Sequence, residues 1–166
     1  MKKYILLVLI ILWMGVIFMF SSCNGKESTN QSNTFINMTI SKIVKCFNPK
    51  ILDEELDTIV KKVSMPIRKL AHMSEYFILS MLICMYINCY NINIKRNILI
   101  TFIICFLYAC SDEIHQLFIK DRSGNIIDVF IDSFGAFIWI IIFYLRRKNE
   151  NCNKWFNAFR TFWIKK

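Results

Sequence analysis

The sequence predicts an all-α protein, a four-transmembrane-helix bundle with short amphipathic helices in the first outer connection and in the C-terminal tail. Three observations carry that expectation. Four apolar segments are each close to the length, about 20 helical residues, that crosses a hydrocarbon core of about 30 Å. The composition is 55% apolar and 20% charged, against about 45–50% and about 25% for soluble domains. Finally, four Gly and two Pro in 166 residues leave few breaks, so long helices are easily formed.

The first span is expected over 4–20, an apolar run that Lys2 and Lys3 precede. The second covers about 70–90, with His72 and Glu75 in its opening turns. The third covers about 98–118 and ends in a polar cluster, Ser111-Asp112-Glu113-Ile114-His115-Gln116. The fourth covers about 126–145, starts with Asp128 and Asp132, and closes on Arg146-Arg147-Lys148. The membrane domain is therefore 1–148, and residues 149–166 form a separate interfacial tail. In that tail Trp155, Phe159 and Phe162 recur at helical spacing among Lys154, Arg160, Lys165 and Lys166, the pattern of an interfacial helix.

The connection between the first two spans is long. Its start, 21–33, is rich in Ser, Asn and Gln and reads as a polar tether. Ile36, Ile40, Ile43, Val44 and Phe47 follow at helical spacing, and so do Leu52, Leu56, Ile59, Val60 and Val63. Two short amphipathic helices on the membrane surface are expected there, the second stopped by Ser64-Met65-Pro66.

Charge gives orientation. Lys2 and Lys3, Lys95 and Arg96, and the seven basic residues from Arg146 to Lys166 fall on one side of such a bundle. That side should be the cytoplasm, with both termini inside. The eight basic residues of the long connection, with Lys120 and Arg122 in the third loop, oppose this assignment, and the five acids of the long connection count little against them. The net charge of +9 thus belongs to membrane flanks and anionic headgroups. No basic stripe stands apart from the spans, so nucleic acid is not an expected partner; the lipid bilayer is.

With both termini inside, His72 and Glu75, Asp112 to Gln116, and Asp128 and Asp132 all fall at the outer face. Acids at a membrane helix end are expensive, because they lack the long apolar stem with which Lys and Arg snorkel. Arg68, His72 and Glu75 share one helical face. Asp112 shares a face with His115 and Gln116, and Glu113 points aside. Asp128 and Asp132 are one turn apart, followed by Gly135 and Ala136, which allow close helix approach. Two readings follow. The polar groups, with Arg68 and Arg122, can lock helix ends together. Alternatively, the excess of carboxylates over nearby arginines forms a functional site, and His with Asp and Glu is a suitable donor set for a divalent cation. The spacing matches no standard metal motif. No acid lies in the middle of a span, which disfavours an ion or proton carrier.

Phe20-Ser21-Ser22-Cys23 has the outline of a lipoprotein signal. The apolar run before it exceeds the 7–15 residues of a signal h-region, and Phe20 is bulky, so a retained first span is expected instead. Cys84, Cys89, Cys105 and Cys110 lie within spans and read as small apolar fillers.

On these residues the chain resembles the VanZ-like family of bacterial membrane proteins. The matching motifs are Arg68-Lys69-Leu70-Ala71-His72 with Glu75-Tyr76-Phe77, then Ser111 to Gln116, then Arg122 with Asp128, Asp132 and Gly135-Ala136. The Phe20-Ser21-Ser22 end of the first span also fits, with Cys23 where Gln is common. The resemblance covers about Ile5 to Arg147 and leaves out the tail. It implies a multi-pass protein of the bacterial cell membrane and a link to low-level resistance to teicoplanin-type glycopeptides, which act at the cell wall. The site expected from the residues and the resemblance together has His72 or His115 as a general acid/base. Glu75, Asp112 and Glu113 orient it or hold a cation. Arg68 and Arg122 engage an anionic headgroup or the phosphate of a lipid-linked envelope precursor, and Gln116, Asp128 and Asp132 complete the binding surface. The rival expectation is a non-catalytic protein whose polar groups lock the helices and which binds or occludes a ligand or drug.

Overall fold

In the computed structural model, residues 2–22, 34, 38–44, 46, 51–120, 122 and 124–148 are described. Four long helices account for most of them: α1 (Lys2–Ser22), α2 (Asp53–Asn88), α3 (Ile94–Gln116) and α4 (Ile126–Lys148). All four are long and apolar enough to cross a membrane. The chain is a multi-pass membrane protein with an all-α, four-helix bundle. The expected tail helix of 149–166 and residues 23–33 of the polar tether, Cys23 included, lie outside the described residues, whereas Ser21 and Ser22 belong to α1.

α1 is apolar all round, yet it buries one stripe, Leu6, Ile10, Ile17 and Ser21, and leaves Ile5, Val8, Leu12 and Met19 exposed. That division suits a helix with lipid on one side and protein on the other. α3 starts on Asn93, whose side chain accepts from the Lys95 amide at 3.0 Å, and α4 starts after Asn125, which does the same for Ile127 at 3.0 Å. The α2–α3 turn includes Asn91 at φ 54°, a left-handed conformation that Asn tolerates better than most residues.

One expectation is corrected. The run from Leu52 to Val63 is not a separate surface helix ended at Ser64-Met65-Pro66, because α2 continues through Pro66 as a single helix of 36 residues. Proline removes one backbone donor and crowds the preceding turn, but exposed positions and hydroxyl side chains absorb this. Pro66 is exposed, and the Ser64 hydroxyl donates to the Lys61 carbonyl at 3.0 Å. At 1.5 Å per residue α2 is about 54 Å long, well beyond the about 30 Å that a membrane core requires. Its acidic first turn, Asp53-Glu54-Glu55, complements the positive end of the helix dipole. Residues 38–44, part of the first expected surface helix, are helical.

α1 and α4 each pack against both α2 and α3, and the closest pairing is α2 with α4. Gly135 makes that approach possible. A Cβ there would lie 2.9 Å from Met73 Cγ and closer still to the Met73 carbonyl oxygen, so the two backbones touch where only hydrogen fits. The core holds Ile17, Tyr76, Leu79, Cys105 and Ala109 among others, with a smaller group of Cys84, Ile140 and Phe143 nearer the opposite end. In that half a polar ladder crosses from α2 to α3: Asn97 Nδ2 donates to the Cys84 carbonyl at 3.2 Å, Thr101 donates to Asn97 Oδ1 at 3.2 Å, and the Cys84 thiol donates to Thr101 at 3.4 Å. All three residues are buried, so Cys84 is a polar participant as well as a filler.

Candidate functional site

The end of α1, the end of α3, the start of α4 and the middle of α2 meet at one end of the bundle. Contacts between distant parts of the chain define this end. Ser22 Oγ lies 3.1 Å from His115 Nε2, Arg122 Nη2 donates to the Phe20 carbonyl at 3.1 Å, and Lys69 Nζ pairs with Asp128 Oδ1 at 3.0 Å. At the opposite end the Lys3 ammonium sits 5.6 Å from the centre of the Tyr90 ring.

A polar cavity of about 30 Å³ opens there, lined by Arg68, Lys69, His72, Glu113, Gln116, Arg122, Asp128, Ile131 and Asp132. This is roughly enough for one or two waters or an ion. Its charge is graded. Lys69 and Asp128 are 40% and 36% exposed, whereas Asp112, Glu113 and Asp132 are 4%, 7% and 3% exposed. One oxygen from each of these three carboxylates lies within 4.8 Å of the others. Asp112 Oδ2 accepts from Gln116 Nε2 at 3.1 Å, one helical turn on. Glu113 Oε2 accepts from the Asn125 amide at 2.8 Å, which ties the end of α3 to the loop before α4. A glycine is needed in that loop, since a Cβ on Gly124 would fall 2.6 Å from the Glu113 carbonyl oxygen.

On the α2 side His72 Nδ1 is 3.2 Å from Glu75 Oε2, and both side chains are mostly buried. Glu75 occupies Nδ1, so Nε2 is the ring nitrogen left for the cavity. A carboxylate holding one imidazole nitrogen while the other faces a cavity is the arrangement of an oriented acid/base. The Glu75 carbonyl is in turn held by Trp13 Nε1 at 3.0 Å, and the Tyr108 hydroxyl donates to the Met14 carbonyl at 2.6 Å. α1 thereby supports the site from behind.

The structure brings together Arg68, His72, Glu113, Gln116, Arg122, Asp128 and Asp132 on the cavity wall, with Glu75 behind His72 and Asp112 beside Glu113 and Asp132. Two orientations differ from those expected on α3. Glu113 does not point aside; it is buried in the cavity wall. His115 does not face inward with Asp112. Its ring packs on Phe18 with centroids 4.4 Å apart and contacts Ser22, so it belongs to the α1–α3 contact. The physical reason is that α4 and α2 flank the Glu113 side of the helix end, and α1 covers the His115 side. Lys69, Asn125 and Ile131 were given no role from the sequence. Lys69 carried a signal in its position next to Arg68, one turn before His72; Asn125 acts through its backbone amide, which leaves no trace in side-chain patterns. Lys69 joins the expected arginines as a pairing partner, because it is matched with Asp128.

No curated protein and no solved structure matches the chain. A family model described as VanZ/LLP1 matches residues 6–147, a stretch that takes in all four long helices and every cavity residue. With the match extending over most of its length, the chain belongs to the VanZ/LLP1 family.

Proposed function

We propose that this protein acts at the outer leaflet of the cell membrane on a lipid-linked component of the envelope, and through it contributes to resistance to teicoplanin-type glycopeptides. The observation that carries this reading is the graded cavity at one end of the bundle, with Arg68, Lys69 and Arg122 together with the imidazole of His72 and the buried Glu113 and Asp132 on its wall. Basic side chains at a helix-end cavity are suited to a phosphate-bearing headgroup. A histidine held by Glu75 is suited to moving a proton there. The basic flanks of the sequence support an outward-facing cavity with both termini in the cytoplasm, which puts the cavity at the leaflet where lipid-linked wall precursors and lipophilic glycopeptides lie.

A second reading has its own support. Glu113 accepts from the Asn125 amide and Asp112 from Gln116, so these acids also hold helix ends together, as a polar lock in a ligand-binding but non-catalytic protein would. Teicoplanin susceptibility of cells carrying His72→Ala or Glu113→Gln, measured with protein abundance, separates the two. Lost resistance at normal abundance is the result expected for an active site. Lost protein supports the lock, and unchanged resistance at normal abundance refutes the active-site reading.

A further inference from the structure

We propose that Asp112, Glu113 and Asp132 bind a hard divalent cation, of the Mg²⁺, Mn²⁺ or Ca²⁺ class, at the floor of the cavity. The three carboxylates offer oxygens within 4.8 Å of one another, close enough for small side-chain shifts to bring all three onto one cation with metal–oxygen bonds of about 2.0–2.6 Å. All three residues are buried. Of the cavity's basic groups, Lys69 pairs with Asp128 and His72 with Glu75. Three carboxylates this close in a low-dielectric interior require positive charge or protons, and an all-oxygen donor set selects hard cations over zinc or copper.

A second observation comes from α2. The Tyr76 side chain is 0% exposed, and among the described residues its hydroxyl has no hydrogen-bond partner. The charged groups it interacts with most strongly are Asp112 and Asp132. Asp112 Oδ1 is likewise buried, with the Ser21 hydroxyl as its neighbour. Buried polar atoms without partners are costly. A cation carrying its own waters satisfies both, with Asp112 Oδ1 as a ligand and Tyr76 as a partner for a metal-bound water. The adjoining cavity has room for such waters. The carboxylates alone would not distinguish a cation site from helix-end glue; a fully buried, unpartnered phenol whose strongest charged neighbours are two of them does.

The proposal takes from the proposed function only that the cavity is a working site, and its test reads cation binding directly. Purified full-length protein in detergent micelles is titrated with Mn²⁺, and free Mn²⁺ is followed by its electron paramagnetic resonance signal. About one Mn²⁺ per chain is expected to bind, displaceable by Mg²⁺ or Ca²⁺. Asp132→Asn and Asp112→Asn should each weaken binding at least about tenfold, and Tyr76→Phe should weaken it by about tenfold, as outer-shell partners do. Glu54→Gln, an exposed acid on the extension of α2, should bind like the wild type. If the Asp variants lose helical circular dichroism, Tyr76→Phe, which keeps the ring, decides the location. No uptake by the wild type overturns the proposal. So does uptake that Asp132→Asn, Asp112→Asn and Tyr76→Phe, properly folded, leave unchanged. Binding of Mn²⁺ with unaltered teicoplanin susceptibility in the His72→Ala strain would remove the envelope reading and leave the cation site standing.

Discussion

Gly135→Ala tests whether α2 and α4 meet as closely as the structure has them. In most helices Gly→Ala is stabilising by about 1 kcal/mol through helix propensity. Here the new methyl would sit 2.9 Å from Met73 Cγ and from the Met73 carbonyl carbon, and nearer to its oxygen, where ordinary contact begins at 3.4 Å. A methionine tip can move, but the Met73 carbonyl belongs to the α2 backbone, so the helices themselves must separate. Overpacking of this kind costs about 1–3 kcal/mol. In a bilayer, tight packing rather than water exclusion holds helices together, so the α2–α4 contact loses along its length and the upper end of that range applies. Setting about 3 kcal/mol of strain against about 1 kcal/mol of propensity leaves a net loss of about 2 kcal/mol, or roughly thirtyfold in the folded-to-unfolded ratio. Gly15→Ala is the matched control, because nothing lies within 4 Å of its Cβ position; it should be neutral or stabilising by up to about 1 kcal/mol. Reversible SDS-induced unfolding of the purified protein, followed by circular dichroism, measures both. A Gly135→Ala protein as stable as Gly15→Ala would refute the close approach, and with it the wall that joins His72 on α2 to Asp132 on α4.

Three further substitutions can be read in the same unfolding assay. Asn97→Leu removes the hub of the buried ladder to Cys84 and Thr101 and should cost about 1–3 kcal/mol, because buried partners are left unpaired. Lys69→Met should change stability by less than about 1 kcal/mol, since its pair with Asp128 is solvent-accessible; a larger loss would mean that the ion pair anchors the α4 start. Tyr108→Phe removes one donor to the Met14 carbonyl, an interhelical bond worth about 0.6 kcal/mol on average in membrane proteins, and a loss above about 2 kcal/mol would point to a larger role for α1 at the site.

Much of the architecture was legible in the chain. Four apolar runs of membrane length, bounded by Lys2-Lys3, Lys95-Arg96 and Arg146-Arg147-Lys148, specify four spans because an unpaired backbone group in lipid is too costly for any other local structure. The limit of this reasoning lies in α2. Ser64-Met65-Pro66 reads as a stop, yet proline only weakens a helix by a finite amount, and the apolar stripe on either side of it favours continuation. Most of the polar residues on the cavity wall were legible too, since acids and imidazoles at span ends are rare enough to stand out.

Their directions were not. On α3, Asp112, Glu113, His115 and Gln116 occupy little more than one turn and spread over nearly half of the helix circumference, with Glu113 and His115 at its two edges, so spacing alone cannot say which edge faces the cavity. That depends on where α1, α2 and α4 stand, and their positions follow from contacts far apart in sequence: Gly135 against Met73, Trp13 against the Glu75 carbonyl, Arg122 against the Phe20 carbonyl. These turn Glu113 into the cavity and His115 onto Phe18. Local sequence thus determines that the chain forms membrane helices with polar ends, a matter of solvation at each residue. Only the tertiary structure decides which of those polar groups share a cavity, because that depends on the rotation of each helix about its own axis, which packing between helices sets.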